Sequence, residues 1–200
     1  MGTATKDQET ITIQELLDRP LVTSKDLRDH GYNPGLLSYY ESKGLIERVG
    51  RGLYRNATHP PEIDFQWEDL AYTVLSIPNG VVTGVSALAL YDITEEIPRQ
   101  HWIAVPHDTS IGKRPNTRIV RQRNHELGIS SISVGDIEIP IYNLERTLVD
   151  AFRLLSIEAA IKALKAAFKS TDHKPDMKKL SHYAKELRAN IDEYILMVTT

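Results

Sequence analysis

Seven histidines, His30, His59, His101, His107, His125, His173 and His182, are the first side chains to test for chemistry, because imidazole is the commonest metal ligand and a frequent general base. No two of them have the i, i+4 spacing that puts a ligand pair on one helix face, and no His-x-Glu precedes a cysteine pair. The chain has no cysteine at all, which excludes disulfide scaffolds, thiolate zinc sites, iron–sulfur clusters and thiol catalysis together. Gly112-Lys113 looks like the end of a phosphate loop, but Arg114 stands where Ser or Thr is required and His107 where the first glycine belongs. There is no Gly-x-Ser-x-Gly elbow. Arg146, Asp150 and Arg153 follow one another at spacings of four and three, which suits ion pairing along a helix better than catalysis. Glu95-Glu96 is an acidic pair with no companion for acid–base work. No catalytic residue, no metal ligand set and no cofactor is expected.

What remains is a set of cations and short hydrogen-bonding side chains before residue 58. Gly35, Ser38, Tyr39, Ser42 and Lys43 recur at helical spacing on the side away from Leu37 and Tyr40. Arg48, Arg51 and Arg55 follow with Glu47 as the one acidic residue among them, and Lys25 and Arg28 precede. Positive charge with short polar side chains on a helix is suited to phosphates and to base edges in the major groove. The same pattern also suits a protein-docking module, and Leu37, Tyr40 and Tyr54 read as core.

The elements that must carry these residues can be read in order. Ile11, Glu15 and Leu16 open a short helix that Pro20 ends. Thr23 caps a second helix, with Asp26 completing a capping box, Val22 and Leu27 as a hydrophobic staple and Gly31 as the stop. Asn33 is expected to cap a third helix, with Pro34 in its first turn, running from 33 to 43 with N–H groups at its start open to a phosphate, and Gly44 closes it. Residues 45–55 form two strands around Gly50-Arg51-Gly52. Helix, helix, turn, helix and hairpin is the winged helix-turn-helix order, with the third helix as recognition helix and the hairpin tip as wing.

His59-Pro60-Pro61 cannot continue a helix or a central strand, so a linker is placed at about 56–63. The expected fold class is α/β (α+β): a winged helix-turn-helix domain over 1–58 and a mixed α/β domain over 62–200 with a helical C-terminal tail. In the second domain, 64–76, 84–91, 144–155, 156–168 and a segment from 177 read as helices. Strands are expected at 81–83, 101–105, 118–123, 131–134 and 137–142, the last at an edge or bulge because Pro140 cannot donate to a ladder. Lys113, Arg114, Arg118, Arg121 and Arg123 lie in a stretch from 109 to 125 without an acidic residue. They form either a solvated edge that discourages aggregation or a second basic surface.

Composition sets the outer limits. Apolar residues are 41% of 200 and charged residues 26%, ordinary for a globular chain. The net charge of -3 argues against non-specific coating of nucleic acid, while leaving room for a local basic patch. No run approaches the roughly 18 apolar residues that span a bilayer, and residues 1–7 lack the apolar stretch of an export signal. Met1-Gly2 opens an acylation pattern that Lys6 spoils. A cytoplasmic protein without a membrane partner is expected.

Val22-Thr23-Ser24-Lys25-Asp26-Leu27 with residues 44–55 resembles the N-terminal domain of AbiEi-type antitoxins. Residues 139–153, centred on Leu144-Glu145-Arg146-Thr147-Leu148-Val149-Asp150, look like the same family's C-terminal signature, and 84–90 are similar to the stretch before it. The likeness covers about 10–170, and the tail beyond matches nothing recognisable. The resemblance implies a type IV toxin–antitoxin role: repression of its own operon on double-stranded operator DNA, and functional antagonism of a nucleotidyltransferase-like toxin without a stable complex being required. A protein-interaction adaptor built on the winged unit is the alternative.

Overall fold

A computed structural model describes residues 11–199; residues 1–7, read above for export and acylation signals, lie outside the described residues. The fold is mixed α/β. The chain forms two units, one running to Phe65 with Gly135–Ile137 added, the other comprising Gln66–Val134 and the residues from Glu138 onward.

In the first unit, α1 (Ile13–Leu17) and α2 (Ser24–Asp29) both begin with a reciprocal capping box. Thr23 Oγ1 accepts from the Asp26 N–H at 3.0 Å, while Asp26 Oδ2 accepts from the Thr23 N–H at 2.7 Å. Two helix-end donors that would otherwise face water are thereby satisfied. The Thr12 N–H and hydroxyl hold the Glu15 carboxyl below the usual carboxylate range in the same way. The third helix, α3 (Leu36–Ser42), starts later than the sequence suggests. Asn33 does not cap it: Asn33 Oδ1 accepts from the Gly35 N–H at 2.9 Å, making a local turn. The N–H groups of Leu36 and Leu37 donate to the carbonyls of Asn33 and Pro34, so the expected open N–H groups at this helix start are already partnered. Gly31 and Gly44 end α2 and α3 in the left-handed conformation, at φ +79° and +70°.

Strands β2 (Ile46–Gly50) and β3 (Leu53–Asn56) form the hairpin, with a bulge between Arg48 and Gly50. A third strand, β1 (Leu21–Thr23), has no counterpart in the sequence-based expectation; it pairs antiparallel with β3, so the sheet order is β1-β3-β2. Three residues ending in a helix cap carry too little alternation to read as a strand. The core is Leu16, Leu17, Val22, Leu27, Leu37, Ile46 and Tyr54, with Tyr40 packed against it.

The second unit has helices α4 (Phe65–Leu75) and α5 (Gly84–Leu90), then strands β4 (Val81–Val82), β5 (His101–Pro106), β6 (Thr117–Gln122), β7 (Ile129–Val134) and β8 (Ile137–Tyr142) in the order β6-β5-β4-β8-β7. Strand β4 runs antiparallel to β5 and parallel to β8, and β5 and β6 are parallel. Strand β8 is therefore interior, which overturns the edge alternative of the edge-or-bulge expectation. Its partner β4 is only two residues long and meets it at Val82–Ile141, which leaves Pro140 outside that register. Helices α6 (Leu144–Leu154), α7 (Ile157–Lys169), α8 (Met177–Glu186) and α9 (Asp192–Thr199) complete the chain.

Helix α6 places a charged network in the interior. Arg146 and Asp150 are both fully buried, with Nε to Oδ2 at 2.9 Å. Asp150 also takes Arg153 and accepts from Gln122 Nε2 at 3.3 Å. Arg146 Nη1 donates to the carbonyls of Asn124 and Leu127 at 2.9 and 2.8 Å, and its guanidinium lies 4.4 Å from the Tyr142 ring centre. The spacing announces the pair but not its burial, which changes its energetics from tenths of a kcal/mol to a penalty of several if one partner goes. Burial, with a smaller contribution from Glu145, pushes the Tyr91 phenol up to about 12; its hydroxyl donates to the Tyr142 carbonyl at 3.0 Å. Stability from this raised pKa is full below the ordinary phenol pKa of about 10 and is lost as pH rises toward about 12.

Two outcomes follow from this packing. Asp150→Ala leaves Arg146 charged and uncompensated in the interior, and should cost about 3–5 kcal/mol in denaturant unfolding; a loss under about 1 kcal/mol contradicts the assigned role. Gly84 has φ +54°, and a Cβ there would fall on the Trp102 ring. Gly84→Ala should therefore destabilise by about 2 kcal/mol or more in the same measurement, from overpacking plus a left-handed alanine.

Candidate nucleic-acid interface

Helix α3 is a short rod whose outer face is set by elementary geometry. Leu37 turns inward and is fully buried, and Tyr40 is half-buried beside it. At 3.6 residues per turn the opposite side must show positions 35, 38, 39 and 42, and Gly35, Ser38, Tyr39 and Ser42 are all exposed, as is Lys43 just past the helix end. Tyr39 is 55% exposed, a large ring in water that needs a reason. It is braced from two sides: its ring meets Tyr40 edge-on at 5.3 Å between centroids, and Lys43 Nζ stands 5.6 Å from its centre. The Ser42 hydroxyl donates to the Tyr39 carbonyl at 2.6 Å, which leaves its lone pairs as acceptors. Ser38 is exposed with no such local bond among the described residues.

The wing is built on the strand pair that follows α3. Arg51 occupies the turn between β2 and β3, exposed, with no hydrogen bond or ion pair among the described residues. The Ser24 N–H donates to the Gly52 carbonyl at 2.9 Å, tying the wing tip to the start of α2. Lys25 follows Ser24 and Arg51 precedes Gly52, so that one bond holds two cations on either side of it. Arg28, one turn along α2, is exposed as well. Arg48 is exposed and donates from Nε to the Gly50 carbonyl at 3.2 Å, bracing the bulge. Arg55 stands apart from the other cations. It faces Glu47 across the strand pair, with Nε and Nη2 both 2.8 Å from Glu47 Oε2, so its charge is already matched.

Residues 12–57 carry seven basic and six acidic side chains, so total charge does not make this unit basic; placement does. Glu15 and Asp26 are held by capping boxes, Asp18 accepts from Gln14, Glu47 is paired with Arg55 and Glu41 is half-buried, which leaves Asp29, beside Arg28, as the exposed carboxylate without such a partner among the described residues. Lys25, Arg28, Lys43, Arg48 and Arg51 keep their charge toward solvent.

The second basic stretch lies in the other unit. Strand β6 is at the edge of its sheet. Arg118 is exposed with its guanidinium 3.8 Å from the Trp102 ring centre, Arg121, Arg123 and Lys113 are exposed, and Arg114 is half-buried. Gln122 points inward to Asp150. Arginines on an edge strand serve equally to block strand pairing and to meet phosphates.

No curated protein matches the chain. Its N-terminal part matches the family model described as a transcriptional regulator, AbiEi antitoxin, over residues 12–57. The match ends where β3 ends and takes in Lys25, Arg28, the α3 face and the wing. Over residues 12–57, its winged helix-turn-helix, the chain is thus similar to the AbiEi antitoxin family of transcriptional regulators.

Proposed function

We propose that the winged unit binds double-stranded operator DNA, with α3 in the major groove and the β2–β3 turn on a flanking phosphate, and that the chain thereby represses its own operon. One observation carries this reading: the outer face of α3 offers Ser38, Tyr39 and Ser42, with the helix's one carboxylate, Glu41, half-buried to the side, and the wing of the same unit offers an Arg51 that is unpaired among the described residues. Base edges are read by short hydrogen-bonding side chains in the major groove, while cations at the rim set register on the phosphates. Lys25, Arg28, Lys43 and Arg48 supply further phosphate contacts, and Arg55 acts as the strut that keeps Glu47 away from them.

The division of labour is placed at the 56–63 linker, with residues 1–58 for DNA and 62–200 for antitoxicity against a nucleotidyltransferase-like toxin in a type IV arrangement. The protein performs no reaction in this scheme, and the toxin need not be held in a stable complex. The basic stretch from Lys113 to Arg123 gives the larger unit a weak, salt-sensitive affinity for phosphates that carries no sequence information.

Arg51→Ala should weaken operator binding and lower the salt slope by about one unit, as expected when a single phosphate is no longer neutralised; titrations at several salt concentrations read both. Ser38→Ala, Tyr39→Ala and Ser42→Ala together should bring operator affinity down toward that for unrelated DNA. Each good hydrogen-bonded base pair that goes unread should cost roughly 1–3 kcal/mol, with the far-ultraviolet dichroism unchanged. An unchanged footprint removes α3 from the groove. Full-length Arg51→Ala should still protect cells co-expressing the toxin encoded beside it, scored as growth; loss of protection together with repression contradicts the separation of roles.

A further inference from the structure

The outward side of α3 is not uniform. At about 3.6 residues per turn, counted from the buried Leu37, Ser38 and Ser42 fall on one flank of the exposed face and Leu36, Tyr39 and Lys43 on the other. The first flank offers small hydroxyls. The second is mainly carbon, and Lys43 closes it with a cation. Among the described residues of the first unit, the large apolar side chains left exposed are Leu36, Tyr39, Leu45 and Phe65, and the first two stand one turn apart on this helix. Leu36 is 36% exposed. At a merely solvated helix position Lys, Glu or Gln holds the helix about as well as leucine does, so an exposed leucine beside an exposed ring calls for a use.

Neither side chain is exposed for want of order. The Leu36 N–H donates to the Asn33 carbonyl at 3.1 Å, which fixes the first turn of α3, and the Tyr39 ring is braced by Tyr40 and Lys43. Residues at i and i+3 of a helix face one side, with Cβ atoms about 5–6 Å apart, which sets Leu36 beside Tyr39. Gly35 is exposed and adds no side chain at the helix start, so the approach to Leu36 is open from that end. Glu41, the carboxylate of α3, is half-buried and falls on the far side of the helix from this flank. The flank is therefore a narrow apolar strip with a positive end.

We propose that Leu36, with the Tyr39 ring beside it, reads thymine by holding its 5-methyl group in the major groove, an inference that rests on α3 lying in that groove. The methyl of thymine is the apolar group that the base pairs present on their major-groove edge, and apolar side chains meet it there. The N-terminal residues of a recognition helix are the ones that reach base edges, and Leu36 is the first residue of α3. Charge favours the same occupant, because the cation on this flank can approach phosphates and no carboxylate stands on it. The hydroxyls of Ser38 and Ser42 on the other flank read hydrogen-bonding groups, so the two flanks of one helix divide the edge of the base pairs between them.

The test titrates the full-length protein with its own upstream promoter fragment, in which each thymine is replaced singly by deoxyuridine, a change that removes only the 5-methyl group. At one position or more, the wild-type protein should lose about fourfold in affinity, which is the ~0.8 kcal/mol of one buried methyl converted at about 1.4 kcal/mol per tenfold. Leu36→Ala should lose a similar factor on the unmodified fragment and nothing further on the replaced one. Its affinity for a scrambled fragment of equal composition should match that of the wild type. Leu36→Met keeps an apolar group in place and should stay sensitive to the replacement. If Leu36→Ala fails to fold, Leu36→Gln, of similar length and good helix propensity, takes its place with the same expectation. A wild-type protein indifferent to every replacement, a Leu36→Ala protein as sensitive as the wild type, or an equal loss on the scrambled fragment, each overturns the thymine contact. A preference for the promoter fragment that persists in those cases leaves α3 in the groove, whereas no preference at all overturns both readings.

Discussion

The fate of the carboxylates governs the chemistry of the surface. The chain carries 27 acidic residues against 24 basic ones, and yet the winged unit presents exposed cations. In that unit helix ends take up two carboxylates as acceptors and the strand pair a third, and the second unit commits its carboxylates in the same ways. Glu15 and Asp26 are bound to backbone N–H groups in capping boxes, Asp176 accepts from Lys178 and Lys179 at the start of α8, and Glu145 accepts from the Asp176 N–H. Asp150 is buried between two arginines. A carboxylate committed to a cap or to an interior pair projects less negative charge onto a binding face, whereas the side chains of Lys25, Arg28, Lys43 and Arg51 make no ion pair among the described residues.

Much of this was legible in the sequence because caps are local. Thr23 with Asp26, Gly31 and Gly44 each state a helix boundary within a few residues, and the structure agrees with them. Asn33 misled because an Asn two residues before a glycine can close a turn on itself as easily as cap a helix, and Pro34 fits either outcome. What depended on distant partners was not legible. Strand β1 is a strand only because β3 lies beside it, and Pro140 sits in an interior strand only because β4 is two residues long. Arg146 at i, i+4 from Asp150 announces a pair, but its complete burial requires the 124–128 loop, about twenty residues earlier, to fold over it.

The candidate interface shows the same division. The stripe at positions 35, 38, 39 and 42 follows from helical period alone, so its exposure could be anticipated. The pairing of Arg55 with Glu47 could not, because it rests on strand register. Nor could the Ser24–Gly52 hydrogen bond, which turns two separate cations into neighbours around the wing tip. In the second unit, the residues that resemble the family's C-terminal signature turn out to be interior: Leu144 through Ala151 are buried. Their work is to hold loops and strands in place, and any contact they make with a toxin or nucleic acid must pass through the surfaces they support.

The central claim is that a fold with near-balanced charge reads DNA sequence through α3 and phosphates through its wing. The direct measurement is a titration of the full-length protein with its own upstream promoter fragment and with a scrambled fragment of equal length and composition, each at several salt concentrations. The account predicts about a thousandfold or greater preference for the promoter fragment, with affinity falling as salt rises for both. Equal affinity for the two fragments, or binding indifferent to salt, contradicts it.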